Sequence, residues 1–184
     1  MENLDLFDRQ VENLKEVNCP EDVVNSIADM KEDVLKKVES FNMSNGNIPF
    51  LAVVPVKNLP LPIDFGSNVI ENFSEKNNRE EPYFIFDVNP EDFLGSPMAF
   101  SKKVIKKQER FFLTFDEAVS LELHFKVISP RRFLISGEST FRSRPNETPL
   151  LCRKSSLESA QRIEVGSIKI WDDCNYCITP TKKE

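Results

Sequence analysis

Four cysteines, one histidine and a group of arginines are the residues of this 184-residue chain best suited to chemistry. Cys174-Asn175-Tyr176-Cys177 is a C-x-x-C pair. A zinc site needs four ligands held tetrahedrally, usually from two such pairs on turns. Here Cys152 and His124 would have to complete the set from distant segments. A redox C-x-x-C normally opens a helix, whose dipole lowers a thiol pKa. This pair instead lies by a terminal strand, with no helix pattern after it, so structural cysteines are the expected reading and no metal or cofactor is assigned. Cys19 stands apart near the N-terminus.

His124 is the sole histidine. Cys–His catalysis would require a thiol beside it and a third group to orient the ring. On a helix it would share the polar side with Asp116, Glu117 and Ser120, and a solvated histidine is expected. Five scattered glycines leave no phosphate-cradling loop. Gly137-Glu138-Ser139 lacks the final glycine of a nucleophile elbow. The acidic pairs Glu91-Asp92 and Asp172-Asp173 sit at turns and read as solvated. The binding candidate is the group Arg131, Arg132, Arg142, Arg144, Arg153 and Lys154, which flanks consecutive predicted strands. Loops at one sheet end could gather these cations, and the guanidinium fork suits carboxylate or phosphate. The plainer reading, which is favoured, pairs them with carboxylates of the acidic half.

The elements that must position these residues follow from periodicity. Leu4, Phe7, Val11 and Leu14 predict a first helix. Pro20 opens a second, predicted to run to about Phe41 on the stripe Val23, Ile27, Met30, Val34, Val38. After the turn at Ser44–Asn47, Ile48–Val54 reads as a buried strand. Residues 55–81 read mostly as loop because of Pro55, Pro60 and Pro62. Tyr83–Val88 is a second strand, and Pro90–Phe93 a possible helical turn. Lys102, Lys103, Lys106, Lys107 and Arg110 predict a solvated basic helix face.

Leu113–Ser136 carries two conflicting signals. Thr114 and Glu117 form a capping box, whereas Val119, Leu121, Leu123, Phe125 and Val127 alternate as in a strand. The capping box and the helix formers Glu117, Ala118, Leu121 and Glu122 favour a helix from about Phe115 to Phe125. Glu122 then needs exposure or a partner. Phe133–Gly137, Pro149–Arg153, Ile163–Trp171 and Asn175–Thr179 read as strands. The predicted class is α+β: an N-terminal helical hairpin, then a mostly antiparallel sheet of about five to seven strands with one or two helices packed on it. Residues 1–184 read as one domain, with 1–43 helical and 44–184 containing the sheet.

Composition narrows the function classes. At this length, with 40% apolar residues and 15 phenylalanines, a core can form without metals or disulfides. The longest apolar run, Ile48–Val56, falls far short of the roughly 20 residues that span a bilayer. The N-terminal MENLDLFDRQ has no secretory pattern, so a soluble cytoplasmic chain with free thiols is expected. Net charge is −6, with 8 basic and 19 acidic groups in residues 1–100 and 16 and 11 in the remainder. That imbalance makes a generic nucleic-acid coat improbable and leaves weak anion or nucleic-acid contact to the second half.

Several segments carry a family resemblance. Phe7-Asp8-Arg9-Gln10-Val11-Glu12-Asn13-Leu14, Ile48-Pro49-Phe50 with Val53-Val54-Pro55, Tyr83 with Asp87-Val88, and Leu113-Thr114 with Glu117-Ala118 come in order. A C-terminal block with Gly166, Trp171, Cys174 and Cys177 follows. Taken together the chain resembles an uncharacterised family of bacterial proteins known only as a domain of unknown function. The resemblance implies one cytoplasmic domain and a helix at Thr114, and brings no assigned activity. The functional expectation is a non-enzymatic binding or interaction module, with a possible protein partner and no membrane. The alternatives are a small enzyme with a pocket near His124 and the arginines, or a weak anion or nucleic-acid binder.

Overall fold

The computed structural model describes residues 2–40, 46–61, 63–64, 69–72, 79–89, 107, 110–128, 133–153, 163–169, 177–178 and 180–181. The fold is α+β, with a helical N-terminal region followed by strands in small sheets. The Pro90–Phe93 turn and both acidic pairs lie outside the described residues, as do Lys102, Lys103 and Lys106.

Helix α1 (Asn3–Glu16) buries Leu6, Phe7, Gln10 and Leu14 on one stripe. It ends because Asn18 turns left-handed at φ 56°, a conformation asparagine tolerates. The Cys19 N–H then bonds the Leu14 carbonyl at 3.0 Å. The helix expected from Pro20 to Phe41 is instead two, α2 (Glu21–Asp29) and α3 (Lys31–Ser40). At Met30 ψ reaches 0° and its N–H bonds the Ile27 carbonyl three residues back. The apolar spacing continues through this bend, so periodicity alone conceals it.

Strand β1 (Ile48–Val53) pairs antiparallel with β4 (Tyr83–Val88), Phe50 opposite Phe86 and Ala52 opposite Phe84. Phe50 through Val54 are fully buried. Among the described residues, the other edge of β1 meets side chains of flanking helices rather than a strand. The Gln10 amide donates to the Phe50 carbonyl at 3.2 Å and accepts from the Ala52 N–H at 2.8 Å, so one side chain imitates a strand residue. Ser120 Oγ accepts from Val54 N–H at 3.2 Å, and Asp116 Oδ1 from Val56 N–H at 2.8 Å. These contacts explain why polar residues occupy interior positions.

Replacing Gln10 with leucine keeps the bulk of the side chain and strands two buried backbone groups. Urea denaturation should show a loss of about 2 kcal/mol. A loss below about 0.5 kcal/mol would contradict the edge role given to Gln10.

Helix α4 (Phe115–Phe125) begins at the expected capping box. The Thr114 N–H donates to Glu117 Oε2 at 2.7 Å, and Thr114 Oγ1 accepts from the Glu117 N–H at 3.4 Å. The alternation through Val127 is a false strand signal. The helix ends at Lys126, left-handed at φ 52°. Glu122, buried, accepts the Ile128 N–H at 2.8 Å, which gives this interior carboxylate the partner it required.

The C-terminal strands form a five-stranded sheet ordered β10 (Cys177–Ile178), β6 (Leu134–Ile135), β8 (Glu147–Arg153), β9 (Ile163–Lys169), β2 (Ile63–Asp64). Its central pairings are antiparallel and its outer ones parallel. Distant segments supply the outer strands, so no hairpin dictates their direction. The pairs β3 (Ile70–Asn72) with β7 (Ser139–Phe141) and β5 (Phe111–Phe112) with β11 (Pro180–Thr181) stand beside it.

Alternation along the strands separates two apolar clusters. Leu134 and Leu151 join the main core with α1, α4, β1 and β4. Ile135, Leu150 and Ile168 join Phe112 in a second cluster. Gly137 permits that cluster to close, since a Cβ there would lie 2.5 Å from the Phe112 ring. Among the described residues, no helix is long and apolar enough to cross a membrane.

Candidate functional site

The residues with chemical potential are dispersed. Arg142 reaches Glu71 at 2.6 Å in the open. Arg144 pairs with Glu147 at 2.5 Å and lies 4.5 Å from the centre of the Phe141 ring. Arg131, Arg132 and Lys154 lie outside the described residues, as does the Arg153 side chain, although its backbone closes β8 opposite Ile163. Cys174 and the side chain of Cys177 lie outside them too. Burial and then Glu164 push the Cys152 thiol up, and its Sγ contacts the Glu164 carbonyl at 3.6 Å. Cys19, raised by burial and then Asp22, contacts the Asn58 carbonyl at 3.8 Å. Raised thiols stay protonated, which disfavours both nucleophile and metal-ligand roles. Among the described residues no cluster of His, Cys, Asp and Glu could hold a metal.

Two expectations are corrected. Arg110 does not lie on a solvated basic face: it is buried with Asp87, while Lys107 alone of the described basic run is exposed. His124 is not a surface residue but is 5% exposed between α4, α1 and β1. Asn13 Nδ2 lies 3.5 Å from His124 Nδ1 and donates to the His124 carbonyl at 3.4 Å. Nε2, on the other side of the ring, is sealed from solvent. Burial lowers the pKa to about 4; the Ala52 backbone opposes this and the Arg9 charge adds to it. The imidazole is therefore neutral at pH 7.

A second polar cluster surrounds the start of α4. Tyr83 OH donates to Glu117 Oε1 at 3.1 Å, and Arg79 stacks 4.5 Å from the Tyr83 ring centre. Burial, then Glu117, raises the Tyr83 pKa. Asp116 is also raised, chiefly by burial, with the Val56 N–H opposing. Each carboxylate holds backbone: Glu117 caps Thr114, and Asp116 ends the β1 edge. These groups shape the fold around α4.

A further feature among the described residues is concave. A groove of about 330 Å³ opens where α1 and α4 end side by side. Val17 and Lys126, the residues that close the two helices, both line it. Leu61, Leu123 and Ile163 supply the rest of its apolar wall, and Asn13, Glu16 and Glu122 its polar one. Leu61 and Ile163 meet there because β2 and β9 pair with Ile63 opposite Ile163. Among the described residues, Asn13 Oδ1 accepts no hydrogen bond, and neither Glu16 nor Lys126 forms an ion pair. The C-terminal ends of α1 and α4 direct the negative poles of their helix dipoles to this region.

Sequence reasoning did not single out this groove. Its polar residues lie on two helices 100 or more positions apart, and its apolar wall depends on a long-range parallel pairing. The visible local signals, Asn18 and Lys126 as left-handed terminators, mark only where its two helices stop. Comparison with protein-family models, curated proteins and solved structures returned no match.

Proposed function

We propose that this protein is a non-enzymatic binding module whose ligand seat is the groove between the C-terminal ends of α1 and α4. The observation that carries this reading is the contrast between the interior and the groove. Around α4 and β1 the polar groups Gln10, Ser120, Asp116, Glu117 and Glu122 each bond backbone, and His124 is neutral and enclosed. In the groove, Asn13 Oδ1, Glu16 and Lys126 keep hydrogen-bonding capacity beside an apolar wall. Its volume lies at the lower end of the roughly 300–1,000 Å³ range of small-molecule sites, and a few polar groups over apolar walls are their usual composition. A short segment of a partner protein could present the same chemistry.

A fragment screen read by amide chemical shifts tests the seat. Hits should move Asn13, Val17, Leu123 and Ile163 together. Leu123→Trp, a half-buried wall residue, should fill the groove and abolish those shifts while the remaining spectrum keeps its folded dispersion. Hits that cluster elsewhere, or that survive Leu123→Trp, would contradict the proposal.

A further inference from the structure

We infer that the groove selects a primary amine on an unbranched aliphatic body, held as its ammonium by Glu16 and Asn13; this rests on the groove being the ligand seat.

Charge complementarity is the first support. Among the described residues that line the groove, two are carboxylates, Glu16 and Glu122, and one is a cation, Lys126. The negative poles of α1 and α4 act in the same sense as the carboxylates, within the last turn of each helix. An entering cation therefore meets a favourable field, and among the described lining residues an anion has only Lys126 to meet.

Donor and acceptor inventory is the second. Asn13 Nδ2 is turned to His124, where it donates to the carbonyl, and the Asn13 side-chain oxygen accepts no hydrogen bond among the described residues. Glu122 already accepts the Ile128 N–H, but Glu16 is exposed and forms no ion pair among the described residues. The uncommitted groups on the α1 side are thus acceptors. An ammonium offers three donors and no acceptor, which matches that set.

The apolar wall specifies the remainder. Val17, Leu61, Leu123 and Ile163 offer methyl groups and no further polar atom from their side chains. A polymethylene chain buries apolar surface there while its charged end stays at the mouth, as lysine side chains do on protein surfaces. The ligand chemistry could belong to a free alkylamine or to a lysine of a partner.

Three probes of one length separate charge from apolar contact: n-pentylammonium, 1-pentanol and pentanoate, titrated at pH 7 and low salt with amide shifts as readout. Pentylammonium should bind at least about fivefold more tightly than pentanol, weaken as salt is raised, and lose that advantage in Glu16→Gln. Glu16 is exposed, so the variant should fold like the parent. Pentanol or pentanoate binding in the groove as tightly as pentylammonium would overturn the amine inference and leave the ligand seat standing. No groove shift with any of the three would overturn the inference, and the fragment screen decides the seat separately. An acetyl-lysyl-amide titration beside its Nε-acetylated form distinguishes the two sources. Binding of the first at least as tight as pentylammonium, lost on acetylation, assigns a protein-borne lysine, and weaker binding assigns a free amine.

Discussion

Asp87→Ala lowers the free energy of unfolding by about 3–5 kcal/mol, the cost expected when one member of a buried ion pair is left without the other. Asp87 and Arg110 have side chains only 1% and 8% exposed, with Arg110 Nη1 and Asp87 Oδ2 at 2.6 Å. Arg110 also donates from Nη2 to the Asp87 carbonyl, and Asn47 Nδ2 donates to Asp87 Oδ1 at 2.6 Å. The aspartate thus gathers the residue before β1, the end of β4 and the approach to β5.

Backbone conformation adds a second element. Asp87 has φ 55°, where aspartate is tolerated better than alanine and glycine carries no penalty. Asp87→Gly should accordingly be less damaging than Asp87→Ala by about 1 kcal/mol, although both lose the charge. Arg110→Met should cost a similar amount to Asp87→Ala, since the carboxylate then stays buried without the guanidinium that faces it. The double variant should cost clearly less than the two single losses added together. Additive losses in that cycle would show that the pair is not coupled as the geometry indicates.

Acid should weaken the fold between pH 6.5 and about 4, and His124 should account for about 3 kcal/mol of that weakening. The ordinary histidine pKa is 6.5, and burial brings this one to about 4 in the folded protein. Below 6.5 the unfolded chain takes a proton that the folded chain refuses, so stability rises with pH across the window and is complete above it. Asp116 works in the opposite sense, because its folded pKa is raised and its proton is held more tightly in the folded state.

The His124 contribution is isolated by comparison with His124→Leu. That variant loses the imidazole and should show a shallower dependence of unfolding free energy on pH from 6.5 to 4, whatever its stability at pH 7. Equal slopes for the two proteins in urea titrations would sink the buried, neutral histidine.

Local physics made several elements legible in the sequence. Thr114 and Glu117 located the start of α4, and the Pro and Asn residues around Tyr83–Val88 bounded β4. Local pattern cannot show which face of a helix meets other elements. α4 is buried on nearly every side, so Glu117, Ser120, Glu122 and His124 sit inside despite their polarity. Three of them are satisfied by backbone groups at Thr114, Val54 and Ile128. Arg110 misled for a related reason. Four lysines precede it within a basic run, while its true partner lies 23 residues earlier. The groove was the least visible feature, because it exists only once α1, α4, β2 and β9 have assembled.

The groove as ligand seat is tested most directly by intermolecular NOEs between n-pentylammonium and methyl-labelled protein. The methylene protons of the probe should give cross-peaks to the methyls of Val17, Leu61, Leu123 and Ile163. Cross-peaks confined to methyls elsewhere, or to none while binding is saturated, would contradict the account.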